Sequence, residues 1–323
     1  MTNIDRYNYA FDPDGDAWAA RILRRIPPQG SVLELGPGPG AMTRVLHDRG
    51  YAVTVVESDP QALSALQALG TQCIAGDLDG NDWMAALAGR QFDVILACDV
   101  LEHLRRPEDV LRALNAVLAP TGSLIISVPN IAYAGVVAGL RLGLFDYADK
   151  GQLDRTHVHF FTQRSLERSL LDCGWAPRAW EANRVPLEQS EFALCWKDLG
   201  DAQRAGLRDG WHDFDVYQWM VVATASSNVV AWEGAAARAQ VDQLREELQA
   251  LSLRRESELA SLREHQKAFS EAKVIIKNLE HQIETMQQPS ADVLAELKQL
   301  NQLKAFLADR SWSARWRRFR GQM

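Results

Sequence analysis

The sequence predicts an α/β protein with a mostly parallel sheet, followed by a long helix with the periodicity of a coiled coil. Short apolar runs alternate with amphipathic stretches through about residue 228, and a glycine-rich turn follows the first apolar run. A later segment has no glycine or proline and shows a heptad repeat. Alternating strands and helices are typical of a parallel sheet covered on both faces. We therefore divide the chain into residues 1–228, 235–288 and 289–323.

The candidate strands are short apolar runs bounded by turn residues. In chain order they are Ser31–Leu35, Ala52–Glu57, Gln72–Ala75, Phe92–Ala97, Ser123–Val128 and Val216–Ala225. Helical patterns lie between them at Ala41–Asp48, Gln61–Leu69 and Pro107–Leu118. The order strand, helix, strand predicts crossover connections and hence parallel pairing through most of the sheet.

The composition excludes several classes of protein. The 323 residues are 47% hydrophobic and carry a net charge of −7, which argues against nucleic-acid binding by bulk electrostatics. The four cysteines (Cys73, Cys98, Cys173 and Cys195) are far apart in sequence and predict buried, reduced thiols. The first residues lack the pattern of a signal peptide, and no apolar run is long enough to span a membrane. We expect a cytoplasmic protein.

The turn "LELGPGPG" predicts a site for a nucleotide-containing ligand. It joins the first strand to a helix whose N-terminus offers free N–H groups. Gly36 permits a tight turn, and Gly38 and Gly40 let a ligand and the helix approach the backbone. The spacing is GxGxG, with Pro37 between the first two glycines, and differs from the GxGxxG of dinucleotide-binding folds.

Acidic residues at the ends of the next strands strengthen this interpretation. Glu57 ends the second strand 17 residues after Gly40, where a carboxylate can accept both hydroxyls of a ribose. Asp77 follows the third strand and could accept an adenine amino group, although Asp79 is an alternative. The fourth strand ends in Cys98-Asp99.

This motif series, over residues 25–228, resembles the class I S-adenosylmethionine (SAM) dependent methyltransferases. The resemblance implies a Rossmann-like seven-stranded sheet whose last strand is antiparallel, with SAM over the carboxyl ends of the first strands. It implies that the methionine part of SAM faces the glycine turn and that Glu57 holds the ribose. The adenine would be bordered by Ser58, Asp77 and Leu78, and the Cys98 carbonyl would accept from the amino group. The implied cofactor-binding residues are Gly36, Pro37, Gly38, Gly40, Glu57, Ser58, Asp77, Leu78 and Cys98.

The stretch "LDRTHVHFFT" is the candidate source of a general base. Methyl transfer to a hydroxyl needs a group that removes its proton, and histidine suits neutral pH. We expect His157 and His159 on one side of a strand, with His157 as the base and Asp99 or His103 as the next candidates. The alternative is that both histidines are structural. Asp99, Glu102 and His103 lack a further ligand in the sequence, so no metal is expected, and "LEHL" is expected to open a helix.

A second resemblance concerns the substrate. The pattern GLFDY…GQLDRTHVHFFT…SL…LL…GW resembles methyltransferases of bacterial surface-polysaccharide and O-antigen gene clusters, and more distantly the quinone-biosynthesis O-methyltransferases. The order of a catalytic domain, a coiled coil and C-terminal amphipathic helices resembles the polysaccharide-terminator methyltransferases. That resemblance implies methylation of a sugar hydroxyl at the non-reducing end of a lipid-linked glycan, which stops chain growth. No kinase signature follows the methyltransferase domain. This favours methylation of the sugar hydroxyl itself over methylation of a phosphate cap. The alternatives are a small-molecule O-methyltransferase and a non-catalytic scaffold or chain-length regulator.

The heptad segment predicts assembly through a coiled coil. Its a and d positions are apolar except for Arg255, Glu258 and His265. The full set is Val241, Leu244, Leu248, Leu251, Arg255, Glu258, Leu262, His265, Phe269, Ala272, Ile276, Leu279, Ile283 and Met286. We expect a homo-oligomer; a single solvated helix is the alternative.

The two ends of the chain carry further aromatic residues. After Pro289-Ser290 an amphipathic helix is expected, and the chain then reads "RSWSARWRRFR". Trp312, Trp316 and Phe319 stand among five arginines, which suits an anionic membrane surface on the inner face of the cell membrane or a glycosyltransferase partner. A solvated end is the alternative. Tyr7 and Tyr9 are expected near the substrate entrance, with simple packing as the alternative.

Overall fold

The computed structural model describes residues 9–80, 82–285 and 291–308. Tyr7, Ser290, Met286 and the basic aromatic end at 309–323 therefore lie outside the described residues. The chain divides into two compact units, Met1–Arg238 and Ala239–Met323, which are described separately below.

The first unit is built on a seven-stranded sheet. Its strands are β1 Ser31–Leu35, β2 Ala52–Glu57, β3 Gln72–Ala75, β4 Phe92–Cys98, β5 Leu118–Pro129, β6 Trp175–Arg184 and β7 Val216–Ala225. They lie in the order β3-β2-β1-β4-β5-β7-β6. The first five pair in parallel, whereas β7 is antiparallel to both β5 and β6. The mixed sheet with an antiparallel β7 confirms the expected fold.

Helices connect these strands and cover the sheet. They are α1 Trp18–Leu23, α2 Ala41–Asp48, α3 Pro60–Ala68, α4 Asp82–Ala85, α5 Pro107–Leu114, α6 Ala134–Arg141, α7 Gln163–Asp172, α8 Ala193–Asp198 and α9 Asp201–Arg208. Helix α3 begins at a strong N-cap, because the Asp59 carboxylate accepts the N–H groups of Gln61 and Ala62. The N-cap Thr162 exchanges hydrogen bonds with Ser165 and so starts α7 in the same way.

The central strands are buried on both faces, which explains why they read as almost continuous apolar runs. Leu33 and Leu35 of β1 belong to the hydrophobic cluster on one side of the sheet. Val32 belongs to the cluster on the other side, with Val55 of β2. Since β1, β2 and β4 run parallel, their carboxyl ends lie at one edge of the sheet, and the residues that follow them come together there.

The structure corrects three details of the sequence prediction. Strand β6 was not predicted, and its residues Trp175–Arg184 are mostly half-buried without a clear apolar alternation. Strand β5 begins at Leu118, where a continuation of the preceding helix was expected; that helix ends at Leu114 and a 3₁₀ turn follows. The expected strand around His157 and His159 is wrong, because residues 157–160 form an irregular loop.

A long helix, α10 Val229–Thr285, follows the sheet and begins six residues before the predicted 235. Its 57 residues span roughly 85 Å. The second unit also contains α11 Ala291–Ala308, whose Leu300 is buried. Lys304 of α11 forms an ion pair with Glu280 of α10 at 2.5 Å. None of the helices in the described ranges combines the length and the apolar composition that a membrane span needs.

Candidate functional site

The carboxyl edge of the sheet opens into a cavity of about 890 Å³, which falls in the range of small-molecule sites. One end, here called the glycine end, is lined by Gly36, Gly38, Glu57 and Asp77. The other, the histidine end, is lined by Asp99, Glu102, His103, Thr156 and His157. The predicted residues Pro37, Ser58, Leu78 and Cys98 also line the cavity.

The glycine turn needs backbone conformations that other residues avoid. Gly36, Gly38 and Gly40 have φ angles of 56°, 54° and 83°, in the left-handed region. Gly36 donates its N–H to the Val56 carbonyl at 2.9 Å, which ties the turn to β2. Gly40 begins α2 and packs away from the cavity wall, since a Cβ on it would lie 2.7 Å from Leu66. The turn thus presents Gly36 and Gly38 to the cavity and uses Gly40 for packing.

Glu57 is fixed at the end of β2 by backbone donors. Its Oε2 accepts the Gly38 N–H at 3.0 Å, and its Oε1 accepts the N–H groups of Ser58 and Asp59 at 2.8 and 2.9 Å. Each carboxylate oxygen has two lone pairs, so one site on Oε2 can still accept from a ligand hydroxyl. The carboxylate is therefore held rigidly beside the glycine turn.

Glu34 is a buried carboxyl in the floor of the cavity. Thr43 donates its hydroxyl to the carboxyl at 2.7 Å. Burial raises the pKa of Glu34 to about 7, because the charged form loses its hydration, and the nearby charge of Glu57 adds to the effect. A carboxyl with this pKa changes its charge near neutral pH.

The two acids after β3 have different partners. Asp79 accepts the backbone N–H of Arg105 at 2.8 Å and so fixes the segment before α5. Asp77 accepts the N–H of Asp79 at 3.0 Å and is exposed toward the cavity. The Asp79 carboxylate is thus used to hold the backbone before α5, and Asp77 remains the candidate acceptor for the amino group of a ligand.

Asp99 ends β4 in a strained conformation. Its φ of 54° places a non-glycine residue in the left-handed region, which costs about 1 kcal/mol or more. Ser127 and Gln218 donate to its carboxylate at 2.9 and 3.1 Å. Asp99 is exposed to the cavity, and desolvation by the surrounding protein raises the pKa of its carboxyl. Neighbouring Cys98 has a pKa well above its ordinary value, first because of burial, so its thiol stays neutral.

The histidine end brings together residues that are far apart in sequence. His103 belongs to a 3₁₀ turn after β4, not to the expected longer helix, and His157 belongs to the loop before α7. Their rings meet edge to face with centroids 4.8 Å apart. The backbone carbonyl of Glu102 accepts the N–H groups of Val158 and His159, at 2.8 and 3.0 Å, which docks the loop on the turn. His159 itself points elsewhere, with Nε2 3.1 Å from the Arg105 carbonyl.

Hydrogen bonds fix which nitrogen of each neutral imidazole carries the proton. His157 Nδ1 lies 3.2 Å from the Gln152 carbonyl oxygen, which can only accept, so Nδ1 is the donor. The Thr156 hydroxyl donates to Asp154 at 2.7 Å and therefore accepts from His103 Nδ1, 3.1 Å away. Each ring then has a lone pair on Nε2.

Glu102 is a buried carboxylate without a hydrogen-bond partner. It is 2% exposed, and neither of its oxygens has a hydrogen-bond partner among the described residues. Burial raises its pKa well above the ordinary value, and the charge of Asp99 adds to this. Donor atoms of Glu102, His103 and His157 all lie within 4.8 Å of one another. These three residues resemble a metal-binding triad. The sequence alone suggested only Asp99, Glu102 and His103, which are close together in the chain, and did not suggest His157 as a ligand.

Several residues in and around the cavity were given no role by sequence reasoning. Gln218 of β7 donates to Asp99, and Thr156 and Gln152 orient the two histidines. Gln152 and Thr156 stand within the stretch GQLDRTHVHFFT, but their contacts were not predictable from it. Gln218 lies outside every motif, 119 positions from Asp99. Tyr9 lines the cavity as expected, and burial, together with the charge of Asp99, raises its pKa.

Comparison with known proteins agrees with this geometry. A family described as "Methyltransferase domain" matches residues 9–179. The ubiquinone biosynthesis O-methyltransferase of Psychrobacter arcticus is 28% identical over 156 residues, which are 45% of this chain and 58% of that protein. The corresponding protein of Aeromonas salmonicida is 29% identical over 144 residues, or 42% and 59% of the two chains.

A solved SAM-dependent methyltransferase from Mesorhizobium loti aligns with a TM-score of 0.45 at 18% identity. The alignment covers 66% of this chain and 99% of that one. The chain spans somewhat less than three-fifths of the length of the two curated relatives. The family match covers more than half of the 323 residues. The chain therefore belongs to the methyltransferase domain family, and residues 9–179 are a SAM-dependent methyltransferase domain.

Proposed function

We propose that the protein is an O-methyltransferase that methylates a sugar hydroxyl at the non-reducing end of a lipid-linked surface glycan. The observation that supports transfer to oxygen is the histidine end of the cavity. Asp99, His103 and His157 line it beside the β4 end, and each can accept a proton from a hydroxyl. An acceptor bound there lies in the same cavity as the glycine turn.

The residues of the chain contribute alignment and proton removal. SAM supplies a methyl group already activated on a sulfonium. The glycine turn and Glu57 hold the cofactor, and Asp77 and Leu78 border its adenine. The histidine end positions the acceptor hydroxyl in line with the methyl group and removes its proton, so that most of the rate gain comes from alignment.

Two features favour an acceptor with a polar head and a lipid tail. Thr156, Lys150 and Gln218 line the cavity with donors and acceptors that suit a sugar. Beside Lys150, the chain exposes a run of apolar side chains, namely Leu140, Leu142, Leu144, Phe145 and Tyr147. Exposed apolar residues concentrated in one segment are typical of contact with a lipid or a partner.

The main alternative is methylation of a small molecule. The matches to ubiquinone biosynthesis O-methyltransferases favour this candidate, because those proteins are named for a quinone pathway. A non-catalytic scaffold is less well supported, since Glu57 and the glycine turn have the geometry of a binding site.

We also propose that α10 pairs with a second copy of the chain as a coiled coil. Val241, Leu244, Leu248 and Leu251 occupy the first a and d positions of the heptads, and their exposed fractions are 46% to 72%. An apolar stripe of this kind on one helix is stabilised by burial against an equivalent stripe.

Leu248→Glu places a charge in this stripe and should dissociate the oligomer in light-scattering measurements. Leu253→Glu is the matched control, because Leu253 is also well exposed, at 61% against 72% for Leu248, but lies off the stripe at an f position. The coiled coil would be contradicted if both substitutions dissociated the oligomer to the same extent, or if neither did.

The aromatic and arginine-rich end is proposed to bind an anionic membrane surface or a glycosyltransferase. This proposal rests on the sequence alone.

Methyl-labelled SAM, incubated with the protein and a membrane glycolipid extract, tests the proposed function. One labelled methyl per glycan chain supports termination. Many labelled methyl groups per glycan chain would indicate that the enzyme decorates the glycan and does not terminate it. Label confined to small molecules would favour the quinone-like alternative. No transfer despite SAM binding would favour the scaffold.

A further inference from the structure

We propose that Glu102, His103 and His157 form a binding site for one divalent transition-metal ion at the histidine end of the cavity. Two imidazoles and one carboxylate are a common donor set for Zn²⁺, Fe²⁺ and related ions. The three residues come from two separate segments, and their donor atoms all lie within 4.8 Å of one another. Ligands bound at about 2.1 Å lie roughly 3 to 4 Å apart, so the widest pair of donor atoms needs to close by roughly 1 to 2 Å.

The carboxylate of Glu102 is the first argument for a cation. A buried carboxylate costs several kcal/mol unless a partner compensates its charge. In the described residues Glu102 accepts no side-chain or backbone hydrogen bond, and both oxygens are inaccessible to solvent. Lys150 lines the same cavity but does not supply a hydrogen bond to it. A bound cation would stabilise the ionised carboxylate and would give both oxygens the partner that they lack.

The orientation of the histidines is the second argument. Metal-bound histidines commonly donate their other ring N–H to a carbonyl or a carboxylate, which fixes the tautomer. His157 donates Nδ1–H to the Gln152 carbonyl, and His103 donates Nδ1–H to Thr156, whose hydroxyl donates to Asp154. Both rings are therefore held with the lone pair on Nε2, as metal ligation requires.

Three protein ligands leave coordination positions for an acceptor oxygen, as in catalytic metal sites. The role of the ion rests on the proposed O-methyl transfer, although its binding does not. The ion would make an acceptor hydroxyl more acidic, and the Asp99 carboxylate would take its proton. The oxygen lone pair then forms the new carbon–oxygen bond, and the carbon–sulfur bond breaks with its electron pair on sulfur, which leaves neutral S-adenosylhomocysteine. In this arrangement His103 and His157 are ligands, and Asp99 is the base.

Cobalt binding tests the site without any substrate. The full chain is stripped of metal with a chelator, dialysed and titrated with Co²⁺, and the visible absorption of the bound ion is followed. We expect one Co²⁺ per chain, displaced by one equivalent of Zn²⁺. Glu102→Gln and His157→Ala should weaken Co²⁺ binding at least tenfold. His159→Ala is the matched control and should leave it unchanged, because His159 contacts Arg105 outside the set.

Cooperative thermal unfolding of each variant, followed by circular dichroism, shows that a loss of binding is not a loss of folding. Zn²⁺ should raise the midpoint of the unmodified chain and not that of Glu102→Gln. Absence of stoichiometric Co²⁺ binding, or a Co²⁺ spectrum that survives both ligand substitutions, would overturn the site. Binding without methyl transfer would contradict the proposed function alone. Equal transfer by the chelated and Zn²⁺-loaded protein would contradict the role of the ion alone.

Discussion

The two ends of the cavity are built in different ways. At the glycine end, the residues follow strands β1, β2 and β3 within a few positions and are held by backbone N–H groups, as Glu57 is by Gly38, Ser58 and Asp59. At the histidine end, the contacts are between side chains from distant segments, such as His103 with Thr156. One end is fixed by the sheet and the other by a docked loop.

This difference predicts how substitutions act. A group held by backbone donors at a strand end has its position set by the fold, so its removal affects mainly the ligand and the adjacent turn. A group held by a loop depends on several other side chains, so substitution of a distant residue can change its orientation. Rigid elements give precise sites, and loops give sites that vary more readily between relatives.

Glu57→Ala should have the largest effect at the glycine end. It removes the acceptor for a ribose hydroxyl and frees three backbone donors. We expect SAM affinity to fall at least tenfold, or about 1.4 kcal/mol, in titration calorimetry. Ser64→Ala is the control and should leave the affinity unchanged, because Ser64 lies on α3 outside the cavity lining, with its hydroxyl bound to the Pro60 carbonyl. An unchanged affinity for Glu57→Ala would refute the ribose assignment.

The sequence was sufficient to place the glycine end. Three strands match their predicted bounds at β1, β2 and β3. β1 and β2 are almost wholly buried, so apolar residues dominate them. β3 is a partly exposed edge strand and was recognisable from the turn residues on either side of it. The turn glycines were recognisable because left-handed backbone excludes most other residues. The structure was needed to choose Asp77 over Asp79 as the candidate ligand-binding acid, because the choice depends on the hydrogen bond between Asp79 and the Arg105 backbone.

The histidine end could be predicted only in part. Asp99, His103 and His157 were candidates by residue type, but their contact depends on how the loop folds back on the turn at Glu102. Periodicity misplaced His157 and His159 on a common strand, because alternation over four residues does not distinguish a strand from an extended loop. Strand β6 was missed for a similar reason: a half-buried edge strand has no continuous apolar run.

Glu34 should make SAM affinity depend on pH at the glycine end. Its pKa of about 7 means that raising the pH ionises a carboxylate in the floor of the cavity, which then attracts the cationic cofactor. We expect affinity to rise about tenfold between about pH 6 and about pH 8, as the ionised fraction rises. Glu34→Gln should abolish this rise in calorimetric titrations.

The stability of the SAM-free protein should change in the opposite direction. The folded protein binds the Glu34 proton more tightly than the unfolded chain, so the neutral form stabilises the fold at low pH. This stabilisation should be lost as the pH rises from about 4.5 to about 7, in urea unfolding followed at several pH values. Glu34→Gln should reduce the loss. An equal pH dependence in the variant would assign it to another group.

Thr156→Val should test the loop-held end with a smaller effect. Valine keeps the shape of threonine but removes the hydroxyl that joins His103 to Asp154. Loss of one hydrogen bond should lower the rate of methyl transfer about threefold to tenfold. SAM affinity should stay the same, because Thr156 lies away from the glycine turn. Thr156→Ser keeps the hydroxyl and should retain the rate. If valine and serine act alike, the hydroxyl does not orient His103, and the histidine end depends on packing of the loop instead.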